Sequence, residues 1–259
     1  MRGVLMLIGL GGLCVMARAE IATQAVEYRD GETALEGYLA WDDAGPAKRP
    51  GVIVAPDWMG PSEFYQQKAQ ALAKLGYVAF VADIYGKGIR PKERAEAGAQ
   101  AGKYKKDRPL MRGRMRAALA KLLEREHVDP QRVAAIGFCF GGTCVLELAR
   151  GGAEVAGVAS FHGGLDSPTP EDAKNIKGKV LVLHGADDPN VPPEQVAAFQ
   201  QEMREAKVDW HMVSYGGAVH SFTKPAAGND PSKGAAYDEK ADKRSWQTMR
   251  DFFGELFGK

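Results

Sequence analysis

The stretch Val133-Ala134-Ala135-Ile136-Gly137-Phe138-Cys139-Phe140-Gly141-Gly142 decides how the rest of the chain is read. Residues 133–136 are apolar and predict a short buried strand. A Gly-x-Cys-x-Gly turn follows, and residues 141–150 predict a helix. Strand, sharp turn and helix together form a nucleophile elbow with cysteine at its apex. A nucleophile on so tight a turn has strained backbone angles, and side chains two residues to either side of it would collide, so glycine is needed at both places. The turn lifts the sulfur above the carboxyl edge of a sheet. It also sets Cys139 at a helix N-terminus, where the dipole favours thiolate over thiol. The plainer reading is a small buried cysteine in a turn. Cys144, inside the helix, reads as core.

Working outward, residues 24–29 and 35–41 alternate as two antiparallel strands, with Asp30-Gly31 near their turn. Residues 51–55 are a continuous apolar run, as in a parallel strand buried on both faces. Residues 62–75 have helical periodicity and stop at Gly76. Further strands are predicted at 77–82, 155–161, 180–184 and 210–215, and further helices at 110–126, 193–205 and 235–257. Residues 87–106 are Gly- and Lys-rich with a weak pattern, and predict a loop with a short helix. Alternation of strand and helix implies an α/β fold: a mostly parallel central sheet with helices on both faces and an antiparallel N-terminal edge. Neither an internal repeat nor a low-complexity segment interrupts it.

The chain has 259 residues, 45% hydrophobic and 26% charged, with a formal net charge of +1. These are ordinary values for a soluble globular protein, and the charge gives no case for a nucleic-acid or membrane-surface partner. The basic residues Lys103, Lys105, Lys106, Arg108, Arg112, Arg114 and Arg116 read as a solvated face. Residues 1–19 read as a secretory signal peptide, with Arg2 before an apolar run too short to span a bilayer and Ala17-Arg18-Ala19 before cleavage at Glu20. Residues 20–259 are then expected to form one α/β domain in a bacterial periplasm or secreted, without stable membrane insertion. Cys14 leaves with the leader, and Leu13 is too bulky for lipidation at that cysteine. Cys139 and Cys144 lie more than one helical turn apart with diverging side chains, so no disulfide is expected.

A thiol nucleophile needs a general base and a carboxylate to orient it. Four histidines follow Cys139. His220 comes after a strand and the turn Gly216-Gly217, on a loop at the carboxyl edge, and is preferred. His184 and His211 lie on strands and read as structural. His162 follows the strand after the elbow helix and reads as a packing histidine. The acid lies in Asp187-Asp188-Pro189-Asn190-Val191-Pro192, with Asp188 preferred and Asp187 as a turn-former. Backbone N–H groups of Phe140 and Trp58 are the candidate oxyanion donors. Asp57, beside Trp58, is either a solvated turn residue or a group that acts on the thiol. The polar loop 224–233 borders this constellation. No metal cluster or phosphate loop is seen, so no cofactor is expected.

These segments together resemble the dienelactone hydrolase family, whose members have the α/β-hydrolase fold. The resemblance runs from Gly51 to the C-terminus. It rests on Ala55-Pro56-Asp57-Trp58-Met59-Gly60, Ala82-Asp83-Ile84-Tyr85-Gly86, the elbow itself, Asp188-Pro189-Asn190-Val191-Pro192 and His220-Ser221-Phe222. It implies a triad of Cys139, Asp188 and His220, with Asp57 as a thiol-activating carboxylate where the family typically has Glu. It also implies Tyr85, Lys87 and Lys224 as substrate-binding residues, the two lysines standing where arginine is usual. Lysine offers a point charge without the planar fork. The activity so implied is hydrolysis of a lactone or small carboxylic ester through an acyl-thioester. Acyl transfer, or a thiol-reactive binding or sensing role on a degenerate site, are the alternatives.

Overall fold

Period-two alternation at the start of the chain builds a hairpin of β1 (Ile21–Asp30) and β2 (Thr33–Asp42), with Gly31 at positive φ in the turn. These elements come from a computed structural model that describes residues 20–258. The leader reading, its cleavage site and Cys14 fall on residues outside the described ones.

The strands β3 (Arg49–Ala55), β4 (Val78–Val81), β5 (Val128–Phe138), β6 (Gly157–Phe161), β7 (Lys179–Gly185) and β8 (Trp210–Tyr215) run parallel. The hairpin joins them antiparallel at β4, giving the order β1-β2-β4-β3-β5-β6-β7-β8. From β3 the chain steps first to β4 on one side and later to β5 on the other. At such a switch the loops leaving neighbouring strands splay apart and open a crevice at the carboxyl ends. Ala55 pairs with Gly137 there, so the loop after β3 lies beside the elbow.

Alternate residues of the central strands feed two cores. Ile53, Ala135, Val158 and Val182 face one with α2 (Arg94–Lys106), α3 (Arg108–Leu123), α4 (Phe140–Arg150) and α5 (Pro193–Glu205). Val52, Val54, Ile136 and Leu183 face the other, with α1 (Glu63–Lys74) and α6 (Glu239–Phe257). Burial on both faces is why residues 51–55 of β3 and 133–138 of β5 read as unbroken apolar runs.

Two expectations change. Residues 87–106 contain the full helix α2 rather than a short one. Its buried face is only Ala97, Ala101 and Tyr104, too slight to give an amphipathic signal. The basic stretch is not a uniformly solvated face. Lys103, Lys105, Lys106 and Arg116 are exposed, but Arg108 and Arg114 are buried. Arg114 pairs with Asp30, Arg112 with Glu147 and Asp172, and Arg108 with Asp166. Glu147 is fully buried in α4 and also meets Arg150 at 3.0 Å. Arg150 in turn grips Glu202 of α5 with two 2.7 Å hydrogen bonds.

Candidate active site

The elbow forms because its glycines let three backbones converge. A Cβ on Gly137 would lie 1.9 Å from the Gly141 carbonyl oxygen, and one on Gly141 would lie 2.1 Å from that of Ala55. Cys139 at the apex has φ 54° and ψ −118°, and its side chain is half-buried at the N-cap of α4. Both described cysteines are free, and Cys144 is buried in the core.

Two loops from the same sheet edge bring a histidine to the sulfur and a carboxylate to that histidine. His220, on the loop after β8, has Nε2 at 3.0 Å from Cys139 Sγ. Its Nδ1 lies 2.8 Å from Asp188 Oδ2, on the loop after β7. Asp188 is buried, and its second oxygen accepts the Asn190 N–H at 2.8 Å, which fixes the carboxylate. Asp187 is exposed, so the inward place of the pair belongs to Asp188. Burial alone would lower the His220 pKa. Hydrogen bonds to Asp188 and Cys139, together with their charges, outweigh it and push the ring up to about 10. The histidine is thus set to hold a proton between a carboxylate and a sulfur.

The two N–H groups expected as oxyanion donors lie on the loop after β3 and on the first residue of α4. Among the described residues, neither the Trp58 nor the Phe140 N–H meets a partner. The Trp58 carbonyl accepts a 2.8 Å hydrogen bond from the Tyr85 hydroxyl. Tyr85 is buried, which pushes its pKa far up with help from nearby Cys144, Asp57 and Cys139 and keeps it a donor. Its hydroxyl thus touches the backbone of Trp58, and its ring packs on Phe140.

Asp57 is buried and occupied. Its Oδ2 accepts from Lys224 Nζ, and its Oδ1 accepts the Met59 N–H at 2.9 Å. Lys224 therefore reaches the site, through Asp57. Lys87 does not: its ammonium pairs with Glu27 on the exposed face of β1. A hairpin partner that far back in the chain leaves no local signal around Lys87. Of the remaining histidines, His211 is exposed and packs edge-on against Phe252. His184 is buried near Asp188, where burial lowers its pKa. His162 is buried at the site itself, with Nδ1 at 3.2 Å from the Cys139 N–H nitrogen. Its Nε2 lies 2.8 Å from the Thr223 hydroxyl. The link to Thr223 has no counterpart in any periodic pattern, and the sequence did not reveal it.

Among the described residues no group of three or more His, Cys, Asp or Glu side chains could hold a metal ion, and no helix is long and apolar enough to cross a membrane. A groove of about 570 Å³ lies behind the acid loop, between Asp188, Pro192, Val196 and Ser214, and neither Cys139 nor His220 lines it.

A model of the dienelactone hydrolase family matches residues 35–257. The chain belongs to this family. A dienelactone hydrolase-like promiscuous phosphotriesterase from metagenomic libraries is 42% identical and superposes with a TM-score of 0.86, over 92% of this chain and 99% of that one. A probable 2-oxo-3-(5-oxofuran-2-ylidene)propanoate lactonase from Bradyrhizobium is 30% identical over 80% of this chain and 86% of its own. A putative carboxymethylenebutenolidase from Synechocystis is 26% identical over 90% of this chain and 97% of its own. As a dienelactone hydrolase family member, the chain has the α/β-hydrolase fold expected from its elbow.

Proposed function

We propose that this protein hydrolyses a lactone or small carboxylic ester through an acyl-thioester on Cys139. The observation that carries the reading is His220 lying within hydrogen-bond distance of both Cys139 Sγ and Asp188. His220 takes the thiol proton, and Asp188 stabilises the imidazolium that results. The thiolate adds to the carbonyl carbon, and the carbonyl electron pair moves to oxygen. The Phe140 and Trp58 N–H groups receive that oxyanion. As the tetrahedral centre collapses, His220 gives its proton to the departing alkoxide or enolate, and a thioester remains. Water then attacks the thioester while His220 takes its proton. The second collapse releases the acid and the thiolate.

A thiolate is itself a good leaving group, so this cycle suits substrates that expel an alcohol or enol readily. An amine leaves poorly in that competition. Asp57 can help only as a proton acceptor, since its negative charge opposes a neighbouring thiolate, and its pairing with Lys224 offsets that repulsion. The likeness to a promiscuous phosphotriesterase favours a second activity on activated phosphotriesters at the same thiolate. Transfer of the acyl group to an added alcohol, and a thiol that reacts without turnover, are the rival outcomes.

Turnover of p-nitrophenyl acetate, a panel of lactones and paraoxon by wild type and Cys139→Ala tests the reading. Loss of ester turnover in the variant is expected, and equal rates in both would remove Cys139 from the mechanism. We also propose that residues 1–19 are cleaved on export to a periplasm or the medium. N-terminal sequencing of the exported protein is expected to begin at Glu20.

A further inference from the structure

Among the described residues, the non-glycine positions with positive φ are Cys139, His162, Lys207 and Ser221. All but Lys207 stand around the thiol. Backbone strain of this kind persists only where surrounding contacts over-determine it, and it collects at working sites. For Cys139 the elbow explains it, and for Ser221 the turn that presents His220. His162 needs its own explanation, since its side chain takes no part in the cycle above.

His162 follows β6 and is 2% exposed. The Cys139 N–H is shared between the Phe161 carbonyl at 3.0 Å and His162 Nδ1 at 3.2 Å. Nδ1 therefore accepts, so in the neutral ring the proton sits on Nε2 and is donated to Thr223 Oγ1. Thr223 is itself 1% exposed and lies three residues after His220 on the same loop. One imidazole therefore bridges the nucleophile's own backbone to the loop that carries the base. The ring stands edge to face with His220 at 5.3 Å, and Phe222 closes its other side at 5.0 Å. The charged groups that face it are His220 and Lys224 on the base loop and Lys68 on α1. All three are cationic when protonated, so the surroundings favour an uncharged ring in this tautomer.

We propose that His162 is a positioning residue: as a neutral Nε2–H imidazole it ties the Cys139 backbone to Thr223 and so holds His220 Nε2 in reach of the sulfur. The inference rests on the Cys139–His220 reading and adds to it a named residue that sets the distance between them.

The test separates those two roles without emptying a buried site. Thr223→Val keeps the shape and removes the acceptor, and Thr223→Ser keeps the acceptor. Expected for Thr223→Val is a fall in kcat of about five- to tenfold on p-nitrophenyl acetate, the rate equivalent of one net hydrogen bond, with KM little changed. Alkylation of Cys139 by iodoacetamide at pH 7 is expected to slow in parallel. Thr223→Ser restores both. His162→Asn, whose side-chain oxygen can still accept from Cys139 but cannot reach Thr223, is expected to match Thr223→Val. Wild-type kcat and alkylation rate in folded Thr223→Val, or no restoration by Thr223→Ser, overturns the proposal. Cys139→Ala run beside them keeps the two claims apart. Turnover that survives in that variant removes the thiol mechanism, whereas a dead Cys139→Ala with an unimpaired Thr223→Val removes only the role of His162.

Discussion

Lys224 and Asp57 are 167 positions apart in the chain, yet the ammonium of one donates directly to the carboxylate of the other. The contact ties the loop that bears His220 to the loop that bears Trp58. Asp57 is almost fully enclosed while Lys224 keeps about a quarter of its side chain in water. Removing the lysine charge strands a buried carboxylate. Lys224→Met is expected to lower unfolding free energy by on the order of 1–2 kcal/mol, with Lys224→Arg largely sparing it. Urea unfolding midpoints check this.

The Tyr85 hydroxyl holds the Trp58 carbonyl, and through it the residue whose N–H is the proposed oxyanion donor. Tyr85→Phe keeps the packing against Phe140 and deletes that one hydrogen bond. A drop in kcat of about three- to tenfold with KM nearly constant is expected, because an oxyanion donor matters most at the transition state. Steady-state kinetics on an ester and a lactone measure it.

The glycines of the turn differ sharply from Gly216 on the loop after β8. Gly137→Ala or Gly141→Ala drives a methyl into backbone atoms that cannot give way. Loss of at least about 3 kcal/mol, or failure to accumulate as folded protein, is expected. Gly216→Ala meets nothing within 4 Å, and its melting temperature is expected to stay close to wild type.

The two site histidines shift in opposite directions and so make opposite demands on pH. His220 is raised to about 10 from an ordinary 6.5. Its contribution is full below pH 6.5 and fades as pH climbs through about 10. His162 is driven well below 6.5, chiefly by burial and then by the charge of His220. Its contribution is full above 6.5 and fades on acidification, as the unfolded chain takes up a proton that the folded one refuses. Urea midpoints across pH 4.5–10 are expected to flatten on the acid side in His162→Asn and on the alkaline side in His220→Gln.

The sheet, the elbow and the meeting of Cys139, Asp188 and His220 are legible in the sequence because each is written locally. Glycine spacing marks the turn, and strand ends mark the two loops. What escapes is held by distant partners. Nothing near Arg112 announces that Glu147 and Asp172 will enclose it, so a charged run read as solvated. Lys87 lies two residues after Tyr85, yet Glu27 draws it to the outside of the hairpin. His162 has the surroundings of a packing residue, and only coordinates disclose which atoms its nitrogens meet. Helix α2 hides because three side chains are enough to seat it.

The grip of Arg150 on Glu147 and Glu202 bears on ionic strength. Salt screens exposed pairs such as Lys177 with Glu154, but ions have little access to a contact from which water is excluded. The helix beneath the sulfur is thus fastened at its far end by a clasp that brine does not loosen, while the outer surface softens around it.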